Sequence, residues 1–253
     1  MTAKPANQTL RHLARAVVAD RTLGDELLRL VETRLRQRDT PPHDTPDAVA
    51  LFVETWRELR QLNGAARAFS DRSLAAALPA PPSNERFMLL LVDTMGLDQR
   101  EASRAMRVSA KEGAELLEEA RRWALGQFHG SALIIEDEPL IAAELRAILA
   151  SMGVNVIAAA RTAEQAVDLV KASEPDLLLA DYNLDGERSG VDAVREIQEQ
   201  VISPVVFITG YPDRVLAGNE VEPDFVLAKP YSTRAVRAAV AHCLSTERAP
   251  RAE

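Results

Sequence analysis

The chain has one cysteine, Cys243, among its 253 residues. That excludes an internal disulfide framework and suits a reducing cytoplasm. No run is long and apolar enough to span a bilayer, and the first residues lack the basic-then-apolar pattern of a secretory signal. The expectation is a cytoplasmic protein with no membrane partner. Histidine is scarce: His12, His43, His129 and His242 are scattered without ligand spacing, which argues against a zinc site. Positive charge is in deficit. The formal charge is −8, the wrong sign for bulk affinity toward nucleic acid. The deficit is uneven, because residues 1–130 carry 19 basic and 18 acidic side chains while residues 131–253 carry 11 and 20. Acidity therefore collects in the second half. Apolar residues are plentiful at 47%, enough for packed cores, and the length favours two domains over one.

The first half reads as helices. Over 8–38, Leu10, Leu13, Ala14, Val17 and Val18 share one face, and Leu23, Leu27, Leu28, Leu30, Val31 and Leu35 form a second stripe. The stretch Thr40-Pro-Pro-His-Asp-Thr-Pro46 breaks the pattern. A third helix carries Val49, Phe52, Val53, Trp56 and Leu59, and Asn63-Gly64 ends it, with a short turn possible at Ala65–Phe69. Leu78-Pro-Ala-Pro-Pro-Ser83 is a stiff connector. Three short helices then fit 84–95, 98–106 and 109–124. Gly96 suits the end of the first, and Ser109 suits the N-cap of the last. The domains expected are 1–125, made of a part at 8–70, a linker at 71–83 and a part at 84–125, and then 131–246.

From residue 131 the pattern alternates strand and helix. Five apolar runs read as strands buried on both faces. Helices fit 138–151, 162–173, 189–200 and 232–245, while 211–220 is weakened by Pro212, Gly218 and Asn219. Five such units predict a doubly wound α/β sheet of flavodoxin-like order, 2-1-3-4-5. The run Ala132-Leu-Ile-Ile is followed by Glu136-Asp137-Glu138-Pro139. Leu177–Ala180 is followed by Asp181, Val205–Ile208 by Thr209-Gly210, and Phe225–Ala228 by Lys229-Pro230. In a parallel sheet these strand ends converge at one edge. Carboxylates, a hydroxyl and an ammonium gathered there can bind a hard cation and accept a phosphoryl group on a carboxylate. Asp176 and Asp185 are expected to be ordinary helix caps or surface charges.

These residues resemble the response-regulator receiver domain over about 120 residues. The resemblance implies that Asp181 is the phosphoacceptor. It implies that Glu136 and Asp137, with Asp181 and the backbone carbonyl of Asn183, hold Mg²⁺. Lys229 and the Thr209 hydroxyl are implied to contact the phosphoryl oxygens, and Gly210 to leave space beside them. Two departures stand out. Glu136 occupies a position where Asp is commoner. Val226 stands three before Lys229, where an aromatic residue is usual, unless Tyr211 takes that role. Phe207-Ile-Thr-Gly-Tyr211 resembles a receiver subgroup with a Phe-x-Thr-Gly-aromatic fourth strand.

In the first half, the run from Arg86 to Ser109 resembles region 4 of extracytoplasmic-function sigma factors, through Leu90, Leu91, Gly96, Leu97, Glu101, Ala102, Ala105, Met106, Val108 and Ser109. Helices 8–38 and 46–61 match region 2 weakly. The recognition-helix position departs from the family. Glu112, Glu115, Glu118 and Glu119 fall within eight residues, where phosphate-contacting cations belong. Direct DNA binding is therefore not expected.

Both halves in this order resemble the PhyR family of general stress response regulators. The resemblance implies a regulator that is not an enzyme. Unphosphorylated, the receiver packs on the sigma-like domain and hides its binding surface. A sensor histidine kinase phosphorylates Asp181, and the freed domain captures a small NepR-like anti-sigma factor, releasing the true sigma factor. Two alternatives remain at this point. One is a DNA-binding transcription factor using helix 109–124, and the other a phosphate sink with a scaffolding first half.

Overall fold

The computed structural model describes residues 8–18, 21–38, 46–61, 83–217, 221 and 223–245. The chain divides into two compact units, Met1–Ala120 and Arg121–Glu253.

The first unit is helical. The pattern over 8–38 resolves into α1 (Gln8–Val18) and α2 (Arg21–Gln37), and α3 spans Pro46–Gln61. Both expected stripes face inward. Leu10, Leu13, Ala14, Val17, Val18, Leu27, Leu28, Val31 and Leu35 are buried, and Leu23 and Leu30 half-buried. Each fully buried leucine or valine contributes about 1.5–3 kcal/mol. On α3, Val49, Phe52, Val53 and Trp56 are buried. The Trp56 ring lies 6.1 Å from Phe52 and 6.0 Å from Phe87, which carries the packing from α3 to α4 (Asn84–Leu89). The side chain of Leu59, the turn expected at 65–69 and nearly all of the 71–83 connector lie outside the described residues.

The helix expected over 84–95 is regular only to Leu89. Leu90–Thr94 widens into a π turn, in which the Thr94 hydroxyl donates to the Leu90 carbonyl at 2.6 Å and Met95 N–H donates to the same oxygen at 2.9 Å. Gly96, at φ +76°, then turns the chain. Helix α5 (Gln99–Met106) opens on a capping box between Asp98 and Glu101 and closes on Arg107 in the left-handed region, φ 57°. In α6 (Ala110–Ala124), the Ser109 hydroxyl accepts from Glu112 N–H at 3.2 Å, the expected cap. A Cβ on Gly113 would lie 2.0 Å from Ser103 Oγ, so α5 and α6 cross closely enough that any side chain there must displace the Ser103 hydroxyl. Glu54 of α3 accepts from Arg38 at 3.2 Å and from Arg107 at 2.6 Å, tying the ends of α2 and α5 together.

The second unit is the doubly wound sheet. Its parallel strands are β1 (Ser131–Ile135), β2 (Asn155–Ala160), β3 (Leu177–Ala180), β4 (Val205–Thr209) and β5 (Phe225–Ala228), in the order 2-1-3-4-5. Helices α7 (Pro139–Ser151), α8 (Ala163–Ala172), α9 (Gly190–Gln198), α10 (Pro212–Ala217) and α11 (Thr233–Ser245) connect and follow them. The interior strands β3 and β4 are fully buried, whereas β2, on the edge, is only half-buried. Leu133, Ile135, Leu178, Val205 and Phe207 pack against Val167 and Val170 of α8 and Val194 and Ile197 of α9. Asp176 is exposed, as expected for a surface charge, but it has a task. Its carboxylate accepts from the Ser131 N–H at 2.7 Å and hydroxyl at 2.8 Å, closing the start of β1. Among the described residues, no helix is long and apolar enough to cross a membrane.

Candidate functional site at the sheet edge

The parallel register assembles the site. Ile135 pairs with Ala180, and Asp181 N–H donates to the Ile135 carbonyl at 2.8 Å, so Glu136 and Asp181 leave adjacent strands side by side. Thr209 pairs with Ala228, and Lys229 N–H donates to the Thr209 carbonyl at 2.8 Å. Lys229 Nζ then reaches Asp181 Oδ2 at 2.7 Å and Glu136 Oε2 at 3.0 Å, with Glu138 Oε1 at 4.0 Å. Oxygens of Glu136, Asp137 and Asp181 lie within 4.8 Å of one another. An all-oxygen set at this spacing has the donor chemistry of a hard divalent cation.

Burial tunes the charges. Glu136 is 1% exposed. Desolvation pushes its carboxyl above the usual glutamate range, although Lys229 and the Glu138 N–H pull the other way. For Lys229, burial alone would favour the neutral amine. Hydrogen bonds to Asp181 and Glu136 outweigh it, and the ammonium is held above its ordinary range. The cluster thus keeps a fixed cation against Asp181 at neutral pH.

Around this core the backbone contributes. Asn183 N–H donates to Asp181 Oδ1 at 3.2 Å, and Asp185 N–H donates to Asp137 Oδ2 at 3.2 Å. Asp185 therefore serves the cluster through its backbone. Thr209 is fully buried, and its hydroxyl oxygen accepts from Tyr211 N–H at 3.0 Å. Tyr211 is 51% exposed, with the Arg214 guanidinium 4.8 Å from its ring centroid. A Cβ at Gly210 would meet nothing within 4 Å, so open space surrounds that position without packing demanding a glycine.

Glu138, in the acidic run that follows β1, faces Lys229 as described. Three further residues with a part in the site, Gly190, Tyr231 and Glu144, lie outside the strand ends. Gly190 opens α9, and a Cβ there would lie 1.8 Å from the Asp181 carbonyl oxygen. Only glycine lets α9 begin against the backbone of Asp181, and Gly190 N–H also donates to the Tyr182 carbonyl at 3.0 Å. Tyr231, two residues past Lys229, donates its hydroxyl to Glu144 Oε2 of α7 at 3.1 Å. Burial first, then the Glu144 carboxylate, holds its phenol well above the ordinary tyrosine range. The glycine was detectable only as a helix opening soon after Asp181; the tyrosine–glutamate pair spans 87 positions and leaves no local trace.

Known proteins agree with this architecture. Residues 132–241 match the response regulator receiver domain family. The phyllosphere-induced regulator PhyR of Methylorubrum extorquens is 33% identical, over 96% of this chain and 92% of its own. The crystal structure of the response regulator PhyR from Brucella abortus superposes with a TM-score of 0.77 at 28% identity, covering 96% of this chain and 94% of that one. The anti-anti-sigma factor PhyR from Bartonella quintana gives 0.76 at 30% identity, covering 95% and 93%. These relatives are regulators rather than enzymes. Sequence likeness and fold likeness both run through the helical unit as well as the receiver, and on that ground the chain belongs to the PhyR family.

Proposed function

We propose that the chain is a phosphorylation-activated anti-anti-sigma factor of the cytoplasm. The single observation that carries this reading is the Asp181 carboxylate, held between the Lys229 ammonium and the acids that follow β1. Glu136, Asp137, Asp181 and the Asn183 carbonyl would hold Mg²⁺, whose charge offsets repulsion between a carboxylate nucleophile and an incoming phosphoryl group. An Asp181 oxygen attacks phosphorus and a new O–P bond forms. The N–P bond to the phosphohistidine of a sensor kinase breaks, and the leaving imidazole takes a proton. Lys229, which now spans two carboxylates, neutralises the new phosphoryl oxygens. The Thr209 hydroxyl, now accepting from Tyr211 N–H, can rotate to donate to them.

The output is a change in which partner the helical unit can hold. A Bartonella quintana relative is an anti-anti-sigma factor. By that likeness, phosphorylation relieves the receiver's restraint on the sigma-like unit, which then captures a small anti-sigma factor and frees its sigma factor. Glu112, Glu115, Glu118 and Glu119 are all exposed on α6. Their charge opposes a DNA-reading role. The test uses the full chain with Mg²⁺ and a small acyl phosphate. Wild type should take one phosphoryl group and then capture an anti-sigma protein from extract; Asp181→Ala should do neither while melting as wild type does. Undiminished labelling of Asp181→Ala overturns the reading.

A further inference from the structure

Lys229 must present its ammonium to Asp181, yet it sits where β5 ends and the chain turns toward α11. Its side chain is long, with four methylenes, and such a chain holds a position only if its backbone is held. The strand side is held by Lys229 N–H on the Thr209 carbonyl at 2.8 Å. The turn side needs a second anchor. Two residues on, Tyr231 is half-buried, and its hydroxyl donates to Glu144 Oε2 at 3.1 Å. Glu144 stands on α7, the helix that begins directly after Glu136, Asp137 and Glu138. The bond therefore joins the segment that supplies the lysine to the helix that supplies the acids. Glu144 is otherwise exposed and Tyr231 lies outside the apolar core, so the pair does little for core packing.

We propose that Tyr231 and Glu144 form a positioning pair that fixes Lys229 against Asp181 and so sets the rate at which Asp181 accepts a phosphoryl group. This rests on Asp181 being the phosphoacceptor. The pair acts through the lysine and touches neither the phosphoryl group nor the cation. Its loss displaces a charge that must be within hydrogen-bond reach as the new bond forms, and small misplacements of that kind are expensive in rate.

The experiment is a double-mutant cycle on the full chain, labelled with a small acyl phosphate across a Mg²⁺ titration, with thermal melts of every variant. Tyr231→Phe should label about tenfold more slowly at saturating Mg²⁺, with the half-saturating Mg²⁺ concentration unchanged. Glu144→Ala should do the same from the other side of the bond. Glu144→Gln, which keeps an acceptor oxygen, should stay within about twofold of wild type. In a Lys229→Ala background, Tyr231→Phe should slow labelling by less than about twofold, because the residue it positions is gone. Wild-type rates in Tyr231→Phe and Glu144→Ala, equal slowing in both backgrounds, or a shift in Mg²⁺ half-saturation without a change in rate would each overturn the pairing. A wild-type chain that takes no label overturns the phosphoacceptor reading along with it, so the two failures are told apart by the wild-type lane.

Discussion

The receiver unit and the helical unit hold their chemistry in different ways. In the receiver, the reactive groups are few, polar and gathered: one ammonium meets two carboxylates within 3.0 Å at one sheet edge. In the helical unit, the distinctive features are distributed: a buried aromatic run through Phe52, Trp56 and Phe87, a carboxylate clasp at Glu54 and a close helix crossing at Gly113. A site for covalent chemistry needs a handful of atoms at fixed distances. A surface that binds a protein needs shape over many residues. Damage in the receiver should therefore reach the sheet-edge chemistry, whereas damage in the helical unit should cost stability and leave that chemistry untouched.

The sharpest way to break that contrast is a methyl group placed once in each unit. Gly190→Ala pushes a Cβ into the Asp181 carbonyl, where only backbone can yield. It should cost about 3 kcal/mol of receiver stability and sharply slow phosphoryl acceptance, read by melting and by labelling in parallel. Normal labelling would show that α9 shifts freely without disturbing Asp181. Gly113→Ala meets the Ser103 hydroxyl, a shorter and more yielding obstacle. A loss of about 1–2 kcal/mol is expected, with Asp181 labelling untouched and partial recovery in Gly113→Ala/Ser103→Ala. If labelling fell as well, the two units would not be independent in the way contrasted here.

A third test asks whether the helical unit needs the receiver to bind. If the receiver restrains it, residues 1–125 alone should hold the anti-sigma partner at least about tenfold more tightly than the unphosphorylated full chain, measured by calorimetry. Binding by the phosphorylated full chain only, with none by the fragment, would assign part of the contact surface to the receiver. The smallest effect concerns the cap of α9. Asp192 accepts from the Ser189 hydroxyl and N–H, and these bonds hold its carboxyl below the ordinary aspartate range. A lowered carboxylate stabilises the fold above its unfolded pKa and loses that contribution as pH falls through the folded value. Asp192→Asn should therefore lower the melting point at neutral pH by an amount worth under about 1 kcal/mol, since the pair is partly solvated. The difference should fade as the pH is taken below the ordinary aspartate range. A difference that is constant down to strong acid would remove charge from the explanation.

Some of this architecture could be read from local pattern. The strand runs before Glu136, Asp181, Thr209 and Lys229 announce themselves by apolar composition bounded by polar residues, and parallel order brings their ends to one edge. Ser109 and Gly96 are visible because helix ends demand particular residues. Other features were illegible for a physical reason. The helix over 84–95 keeps its periodicity to Thr94, so nothing local marks the π turn at Leu90. Asp176 has no pattern that distinguishes a stray surface charge from a carboxylate closing β1. Gly113 and Gly190 appear as weak points inside helices until a neighbour 10 or 9 positions earlier, Ser103 or Asp181, occupies the space a side chain would need.

Sequence by itself determined the class of each half, the order of the strands and the chemical types that end them, because periodicity, capping and strand-end identity are local properties of the chain. Tertiary structure decided the rest. It set Lys229 between Glu136 and Asp181, placed Tyr231 on Glu144, and drew α5 and α6 together at Ser103 and Gly113. Each of these joins groups separated along the chain by amounts that no local rule specifies. Hydrogen bonds and steric contacts act over a few ångströms in space, whatever the distance in sequence, and only the folded chain fixes which groups come that close.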